Sequence, residues 1–299
     1  MTRRIGAAMV LLAAAGFGTI AVFGKLGFEA GLNNATMLGF RFPIAAAALW
    51  AVILTRRGLP RVPRRQAAGA LGLGVAYTVL TGAFFWGLIY LTAGLAVITL
   101  YTYPIYVFVI AVALLGEAVT RRKLVALILA IGGVVVIVGL DTSGVDPLGL
   151  ALVSVAAVAY AVYTTGSRVA VADLRPDVLS TLAMTGAAVL FAGYGLLTGG
   201  LFVPETVEQW WVVAGLAMFG TAVPISLFAY GLERVEASRA SVLTTAEPPV
   251  AVALGVLVLD ESLSPGVLVG GAMVLGGILL IQSERTAARP AVAAPERTD

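Results

Sequence analysis

Residues 238–264, SRASVLTTAEPPVAVALGVLVLDESLS, contain the feature from which both the fold and a site can be worked out. They hold about one membrane thickness of apolar sequence, with the carboxylate of Glu247 inside it. A bare carboxylate at the centre of a bilayer costs roughly 2.5–3.5 kcal/mol, so it normally faces a protein interior or a water-filled cavity. Pro248 and Pro249 follow directly and, because proline donates no backbone hydrogen bond, they predict a kink at this depth. Glu247 is therefore the first candidate for a functional residue.

The composition around this stretch is that of a polytopic membrane protein. The chain has 299 residues, of which 60% are hydrophobic and 12% charged, and its mean hydropathy is +1.00. A soluble domain carries about 25% charged residues. The sequence has no cysteine and no histidine, which excludes disulfides, thiolate catalysis, histidine-bound haem and histidine-ligated metals. We therefore expect no metal and no cofactor, and we assign the pI near 9.3 to loop arginines rather than to nucleic-acid binding.

Apolar runs of about 20 residues, separated by charged residues, proline or glycine, predict ten transmembrane helices with short connections. The predicted fold is thus an all-α integral membrane protein. Arg3 and Arg4 before the first run also fit a signal peptide, but the run is long for a signal core. Residues 283–299, rich in alanine, proline and charge, are predicted to form a disordered tail. The ten segments are 5–24, 35–55, 67–89, 93–115, 124–140, 148–167, 178–198, 210–232, 238–259 and 266–282.

The distribution of Lys and Arg predicts the orientation of the chain, because basic residues concentrate in cytoplasmic loops. Of the 19 basic residues, Lys25 falls in an outer loop and Arg41 within the second segment, which leaves 17 on the inner side when the N-terminus is inside. The predicted outer loops otherwise carry acidic residues. We predict a multi-pass protein of the plasma (inner) membrane with both termini in the cytoplasm.

The C-terminal part of the chain overlays the middle when it is shifted by 144 residues. The match divides the chain into a first repeat, 1–144, and a second repeat, 145–282. Each unit has five helices, an odd number, so the two must insert in opposite orientations, which is an architecture used for alternating access in secondary transporters. The most specific matched positions are Pro104, Glu117, Gly132 and Gly133 in the first unit, and Pro248, Glu261, Gly276 and Gly277 in the second.

The motifs within these repeats are specific enough to suggest a family. They are Pro104, Gly116-Glu117-x-x-Thr120 and Gly132-Gly133 in the first half, Glu247-Pro248, Asp260-Glu261-x-x-Ser264 and Gly276-Gly277 in the second, and Arg41 early in the second helix. With them the sequence resembles the EamA-type family of the drug/metabolite transporter (DMT) superfamily over nearly the whole chain. Where that family often has Trp-Gly in the first helix, this chain has Phe17-Gly18. The resemblance implies ten helices in two inverted halves and the transport, often export, of small metabolites.

Two charged residues inside predicted helices are the polar candidates for the site. Glu247 could bind a substrate cation, carry a coupling proton, or hold Arg41 in a structural pair. Arg41 could grip a substrate carboxylate through two parallel hydrogen bonds. It could instead reach the headgroups with its long side chain, or pair with Glu247. Glu117 and Glu261 are interpreted as structural turn residues beside Thr120 and Ser264, which can cap the next helix.

Aromatic residues within the segments predict the walls of a cavity. Tyr103 is the repeat equivalent of Glu247 and is the preferred wall residue, followed by Tyr101, while Tyr106 is ambiguous. Each aromatic residue singly also fits helix packing, but together they suggest a cavity suited to amphipathic or cationic solutes. The remaining wall candidates are Trp86, Tyr77, Tyr160, Tyr163 and Phe17. Pro104, Pro248 and Pro249 are predicted kink or hinge residues.

The sequence therefore predicts a secondary transporter that moves a small metabolite, such as an amino acid or an amphipathic or cationic drug-like solute, by alternating access. Export, with proton coupling through Glu247, is the favoured hypothesis, and an uncoupled facilitator or channel is the alternative. The lack of histidine, cysteine and a second buried carboxylate near Glu247 argues against an intramembrane enzyme. The expected partners are the substrate, the lipid bilayer and protons, but not nucleic acid.

Overall fold

The computed structural model describes residues 2–115, 120–140, 145–170, 174–235, 240 and 243–287, and the regular structure within these ranges is entirely helical. The prediction of an all-α protein is confirmed. In chain order the helices are α1 (Thr2–Glu29), α2 (Asn34–Arg57), α3 (Arg64–Gly87), α4 (Ala93–Leu100), α5 (Tyr103–Leu115), α6 (Arg121–Leu140), α7 (Pro147–Ala170), α8 (Pro176–Leu197), α9 (Val207–Ala217), α10 (Val223–Leu232), α11 (Glu247–Leu259) and α12 (Pro265–Ala287).

Each of the ten predicted segments contains helix, and three of them depart from a continuous α-helix within the described residues. The fourth segment is divided into α4 and α5 by a turn at Tyr101 and Thr102. The eighth contains a π-helical segment, Met218–Ala222, between α9 and α10. A 3₁₀ turn, Thr244–Ala246, precedes α11 in the ninth.

The helices have the length and composition expected of a multi-pass membrane protein. Six of the described helical spans are long and apolar enough to cross a membrane, and four apolar spans are shorter. The six are α1, α2, α3, α7, α8 and the continuous span of α9 and α10. The last helix extends to Ala287, so residues 283–287, which we assigned to a disordered tail, continue α12. Residues 288–299 lie outside the described part of the chain.

Polar caps mark where several helices begin. The Asn33 side chain accepts a hydrogen bond from the Thr36 backbone N–H at 2.8 Å, before the first turn of α2. The Thr92 hydroxyl accepts from the Leu95 N–H at 3.3 Å and caps α4. Such caps satisfy backbone donors that have no partner inside the helix. Within a membrane this matters more than in water, because no solvent replaces the missing bond.

The packing of the helices repeats between the two parts of the chain. Where two of the ten segments pack together extensively, the two segments five places away along the chain also pack together. The third segment packs on the sixth and the eighth on the first, while the second packs on the seventh and the fifth on the tenth. The second and seventh run antiparallel. The start of α2 meets the end of α8 through the Asn33 side chain, which donates to the Gly200 carbonyl at 2.8 Å. Trp50, further along α2, donates to the Thr185 hydroxyl at 3.1 Å.

Small residues bring α6 and α12 close together. A Cβ atom at Gly133 would lie 2.5 Å from the Gly270 carbonyl oxygen, and one at Gly277 would lie 2.7 Å from the Ala126 carbonyl oxygen. The expected close approach at the glycine pairs is found at these two positions. Gly276, by contrast, faces open space, with no heavy atom within 4 Å of a Cβ placed there.

Candidate functional site

Arg41 lies on α2 and is buried, with only 1% of its surface exposed. Its Nε donates a hydrogen bond to the Thr221 hydroxyl at 2.8 Å. Its guanidinium carbon lies 5.0 Å from the ring centre of Phe42 and 5.5 Å from that of Phe85. Among the described residues, no acceptor contacts its two terminal nitrogens. Burying an unpaired cation costs several kcal/mol, so this guanidinium is suited to receive an anionic group.

Thr221, which accepts the hydrogen bond from Arg41, lies in a π-helical segment that we did not predict from the sequence. It is fully buried within the π-helical segment, and its hydroxyl also donates to the Leu216 carbonyl at 3.0 Å. Pro224 cannot donate to the carbonyl four residues before it, which favours a wider turn at this point. That proline was the available signal. π-helical segments occur often at functional sites.

Glu247 is the first residue of α11, and its Oε2 accepts a hydrogen bond from the Tyr101 hydroxyl at 2.8 Å. The same hydroxyl lies 2.9 Å from the Thr244 carbonyl oxygen. A phenol has one proton to donate, so it cannot serve an ionised carboxylate and the carbonyl together. When Glu247 is protonated, it can donate to the Tyr101 oxygen while Tyr101 donates to the carbonyl. The hydrogen bonds of this group therefore depend on the proton carried by Glu247.

The two charged candidates do not pair with each other. Within the described chain, the hydrogen bond of Arg41 goes to Thr221 and that of Glu247 comes from Tyr101. The structural ion pair that we left open for them is not formed in this structure. Each charged group instead forms a hydrogen bond with a neutral hydroxyl group.

Aromatic rings connect the surroundings of Glu247 with those of Arg41. The Tyr101 ring centre lies 5.9 Å from that of Tyr103, which lies 4.2 Å from that of Tyr160 on α7. Tyr163, one turn further along α7, lies 5.2 Å from Tyr77 on α3. Tyr77 in turn contacts Phe42, the neighbour of Arg41, at 5.9 Å. Four of the predicted wall residues besides Tyr101 thus lie in two groups of ring contacts, which are joined on α7 by the one-turn spacing of Tyr160 and Tyr163.

Tyr101 donates a hydrogen bond to Glu247, and Tyr103 lies beside it. The repeat made Tyr103 the preferred wall residue because it is equivalent to Glu247 in sequence. In the structure Tyr101 is buried and donates to Glu247, and the half-buried Tyr103 packs edge-to-face against Tyr101 and at a tilt against Tyr160. A substrate contact for Tyr103 stays a prediction.

Trp86 and Phe17 lie outside these groups of ring contacts. The Trp86 ring contacts Tyr194 on α8 at 5.7 Å, and Tyr194 is 41% exposed. Phe17 packs against the main apolar core. Its neighbour Gly18 approaches the first turn of α11, because a Cβ atom there would lie 3.1 Å from the Glu247 carbonyl oxygen. A substrate contact for either aromatic residue stays a prediction.

The three predicted kink prolines lie in the first turns of helices. Pro104 is the second residue of α5, and Pro248 and Pro249 are the second and third of α11. A proline is tolerated there because the first backbone N–H groups of a helix have no internal partner. The breaks in the helices therefore precede the prolines, at Tyr101–Thr102 and at the 3₁₀ turn, Thr244–Ala246. Their action as hinges remains a prediction.

Glu261 has a structural task that joins the two halves of the chain. Its carboxylate accepts hydrogen bonds from the backbone N–H groups of Ala93 at 2.6 Å and Gly94 at 3.3 Å, at the start of α4. Asp260 adopts the left-handed conformation (φ 52°) that ends α11. A Cβ atom at Gly255 would lie 2.5 Å from the Glu261 carboxylate, so that position must stay small.

The other predicted turn residues are only partly described. Ser264 caps α12 as expected, because its hydroxyl accepts from the Val267 N–H at 3.2 Å. Gly116 and Glu117, the first-half counterparts of Asp260 and Glu261, lie outside the described residues.

The EamA-like transporter family matches this chain twice, over residues 4–139 and 147–283. The chain belongs to that family. It is 30% identical to an uncharacterized transporter of Archaeoglobus fulgidus over 94% of this chain and 97% of that one. It is 28% identical to the threonine/homoserine exporter RhtA of Escherichia coli over 75% of each chain. A solved crystal structure with 19% identity covers 95% of this chain with a TM-score of 0.67, which shows that the fold is shared. The protein is thus a multi-pass member of a transporter family.

Proposed function

We propose that this protein is a secondary transporter that exports a small amino acid across the plasma membrane, with Arg41 binding the substrate carboxylate and Glu247 carrying a coupling proton. The observation that carries the proposal is the Tyr101 hydroxyl, which lies within hydrogen-bond distance of both Glu247 and the Thr244 carbonyl. It makes the hydrogen bonding at the site depend on a proton. The chain contains no nucleotide-binding motif, so an ion gradient is the expected energy source.

Arg41 supports a carboxylate-bearing substrate. Its terminal nitrogens have no acceptor among the described residues, and a carboxylate would supply two charge-assisted hydrogen bonds in the planar geometry that guanidinium favours. The aromatic rings from Phe42 to Tyr101 provide an apolar wall between this cation and Glu247. An ammonium group is attracted to aromatic faces and to a carboxylate. One base, one acid and aromatic walls together favour a zwitterion, and the name of the Escherichia coli relative points to the same class.

Alternating access is supported by the pairing of the helices. Segments that pack together extensively in one part of the chain have counterparts, five places away, that also pack together. Two equivalent five-helix units, 1–144 and 145–282, would produce this pattern. Equivalent breaks in the helices fall at Tyr101–Thr102 and at the 3₁₀ turn before α11. We propose that the units are inverted repeats and that these breaks let the outer and inner halves of the path open in turn. The excess of arginine in the predicted inner loops favours cytoplasmic termini.

Counterflow in proteoliposomes tests the substrate class. Vesicles loaded with one unlabelled amino acid should take up the same labelled amino acid, and a panel of amino acids would be compared with their amides, which lack the carboxylate. We expect each transported amino acid to compete at least about tenfold better than its amide, because the amide cannot form the paired bonds to Arg41. Equal competition by the amide would contradict carboxylate binding by Arg41. The absence of counterflow with every amino acid would contradict amino acids as the substrate class.

An uncoupled facilitator is the alternative function, and it makes a different prediction. It would catalyse counterflow but would not accumulate substrate against a gradient when a pH difference is imposed. Arg41→Lys provides a second variant for both assays, because it keeps the charge and loses the planar fork. We expect this variant to fold and to lose discrimination between acid and amide.

A further inference from the structure

A shallow cavity of about 390 Å³, open to the surface, lies where α2 and α10 end, and it shares no residue with the site around Arg41 and Glu247. The residues that line it are Arg56, Arg57, Tyr230, Glu233 and Arg234. Three arginines face one acid, which gives the lining a formal surplus of two positive charges. Neither the proposed substrate path nor the turn motifs account for this arrangement.

The positive charge in the cavity is only partly neutralised. Arg57 donates to the Glu233 carboxylate at 2.6 Å, while Arg234 lies 3.8 Å from the same acid and donates to the Tyr230 carbonyl at 2.7 Å. Arg56 has no hydrogen-bond acceptor within the part of the chain that the structure describes. An anion entering the cavity would therefore find one guanidinium with no hydrogen-bond acceptor among the described residues and a second that is hydrogen-bonded at only one nitrogen.

Tyr230 holds the arginine side chains in place. The guanidinium carbons of Arg56 and Arg57 lie 5.4 and 5.5 Å from the centre of its ring. Stacking of this kind orders flexible arginines before a ligand arrives and so lowers the entropy cost of binding. The Tyr230 hydroxyl is buried and lacks a partner among the described residues. A guanidinium fork matches the oxygen geometry of a phosphate.

The cavity adjoins apolar surface on two neighbouring helices. Leu54, one turn before Arg57 on α2, is 47% exposed. On α1, Ile5 is 51% exposed, and the next residue, Gly6, packs so closely that a Cβ atom would lie 2.6 Å from the Arg234 Cβ. The cations thus mark the boundary between the apolar belt and the polar end of the protein. This is where a lipid headgroup lies in a bilayer.

We propose that this cavity binds the phosphate of an anionic phospholipid, with the acyl chains on the apolar surface beside Leu54 and Ile5. The surplus charge selects headgroups with a net negative charge, and the adjoining apolar surface selects lipid over a soluble phosphate. Bound lipid would connect the ends of α2 and α10, which belong to different repeats.

Native mass spectrometry of the full chain in neutral detergent tests the proposal. Phosphatidylglycerol and phosphatidylcholine are titrated separately, and the bound lipid is counted for wild type and for Arg56→Gln/Arg234→Gln. At about fivefold per arginine near a membrane surface, we expect phosphatidylglycerol affinity to fall roughly 30-fold. Arg64→Gln/Arg65→Gln is the matched control, because it removes two exposed charges at the start of α3 that do not line the cavity. We expect the control to lose less than about threefold.

Three outcomes would overturn the proposal. Equal losses in the two double variants would show general attraction to the surface rather than a site. Equally tight binding of phosphatidylcholine by the wild-type protein would show that net headgroup charge is not recognised. Displacement of phosphatidylglycerol by an equal concentration of glycerol phosphate would assign the cavity to a soluble phosphate instead of a lipid. The variant residues Arg56 and Arg234 are exposed, so we expect the folded chain to be retained for the measurement.

Discussion

Replacing Thr221 with valine removes one hydroxyl from a fully buried position and keeps the shape of the side chain. The hydroxyl accepts a hydrogen bond from the Arg41 Nε at 2.8 Å and donates to the Leu216 carbonyl at 3.0 Å. Valine would leave the guanidinium, which is 1% exposed, without an acceptor among the described residues. A hydrogen bond to a charged group contributes about 1.5–3 kcal/mol. We therefore expect Thr221→Val to lower the free energy of unfolding by that amount.

Equilibrium unfolding in mixed micelles of increasing SDS content measures this loss. Thr221→Ser is the control, because it retains the hydroxyl and removes only a methyl group. The measurement is then repeated with Arg41→Met, where the hydroxyl no longer has a charged partner. In that background we expect Thr221→Val to cost at least about 1.5 kcal/mol less than in the wild type.

Equal costs in the two backgrounds would refute the reasoning. They would show that the hydroxyl stabilises the protein through the Leu216 carbonyl, and that Thr221 does not hold Arg41. A large loss in Thr221→Ser would likewise place the effect in packing rather than in the hydrogen bond.

Three further variants test other contacts. Tyr101→Phe keeps the ring and removes the hydroxyl beside Glu247. We expect pH-driven accumulation in proteoliposomes to slow about tenfold, which corresponds to roughly 1.4 kcal/mol. Tyr106→Phe, outside the hydrogen-bonded group, is the control and should behave like the wild type. Glu261→Ala removes the acceptor for two backbone donors of α4 and should lower the free energy of unfolding by about 0.5–2 kcal/mol. Gly133→Ala places a methyl group 2.5 Å from a backbone oxygen of α12 and should lower the free energy of unfolding by about 1–3 kcal/mol. Gly276→Ala faces open space and should lower it by less than about 0.5 kcal/mol.

The course of the helices could be predicted because hydropathy reports directly on burial in a bilayer. Each predicted segment contains helix, and most helices extend a few residues beyond the apolar run because their ends lie in polar surroundings. The π-helical segment, Met218–Ala222, was missed because it leaves the hydropathy of its segment unchanged. Pro224 carried the local signal, but a proline within a membrane helix has several structural outcomes, including a kink.

The charged residues of the candidate site could be picked out from the sequence, but the contacts that they make could not. A charge in an apolar run is conspicuous, so Arg41 and Glu247 could be singled out from sequence alone. Their partners could not, because Thr221 is 180 residues from Arg41 and an apolar helix offers many equivalent threonines and tyrosines. The repeat favoured Tyr103 because symmetry relates sequence positions, and it gave no signal that the Tyr101 hydroxyl would donate to Glu247.

The glutamates at the helix ends show the same distinction. Their spacing predicted a structural role, and Glu261 has one. The sequence predicted that Glu261 would stabilise the turn in which it lies. In the structure it accepts hydrogen bonds from the backbone of α4, in the other half of the chain. A contact between two segments that are far apart in the chain depends on how the helices pack against each other. Hydropathy and residue spacing carry no information about that packing.

Accumulation of an amino acid in proteoliposomes under an imposed pH gradient is the most direct test of coupled transport at this site. The wild-type protein should concentrate the amino acid against its gradient and should lose that ability when the pH difference is removed. Glu247→Gln keeps the size of the side chain and cannot cycle a proton, so it should retain counterflow and lose uphill accumulation. Accumulation by Glu247→Gln to the wild-type level, with the same dependence on pH, would contradict proton coupling through Glu247.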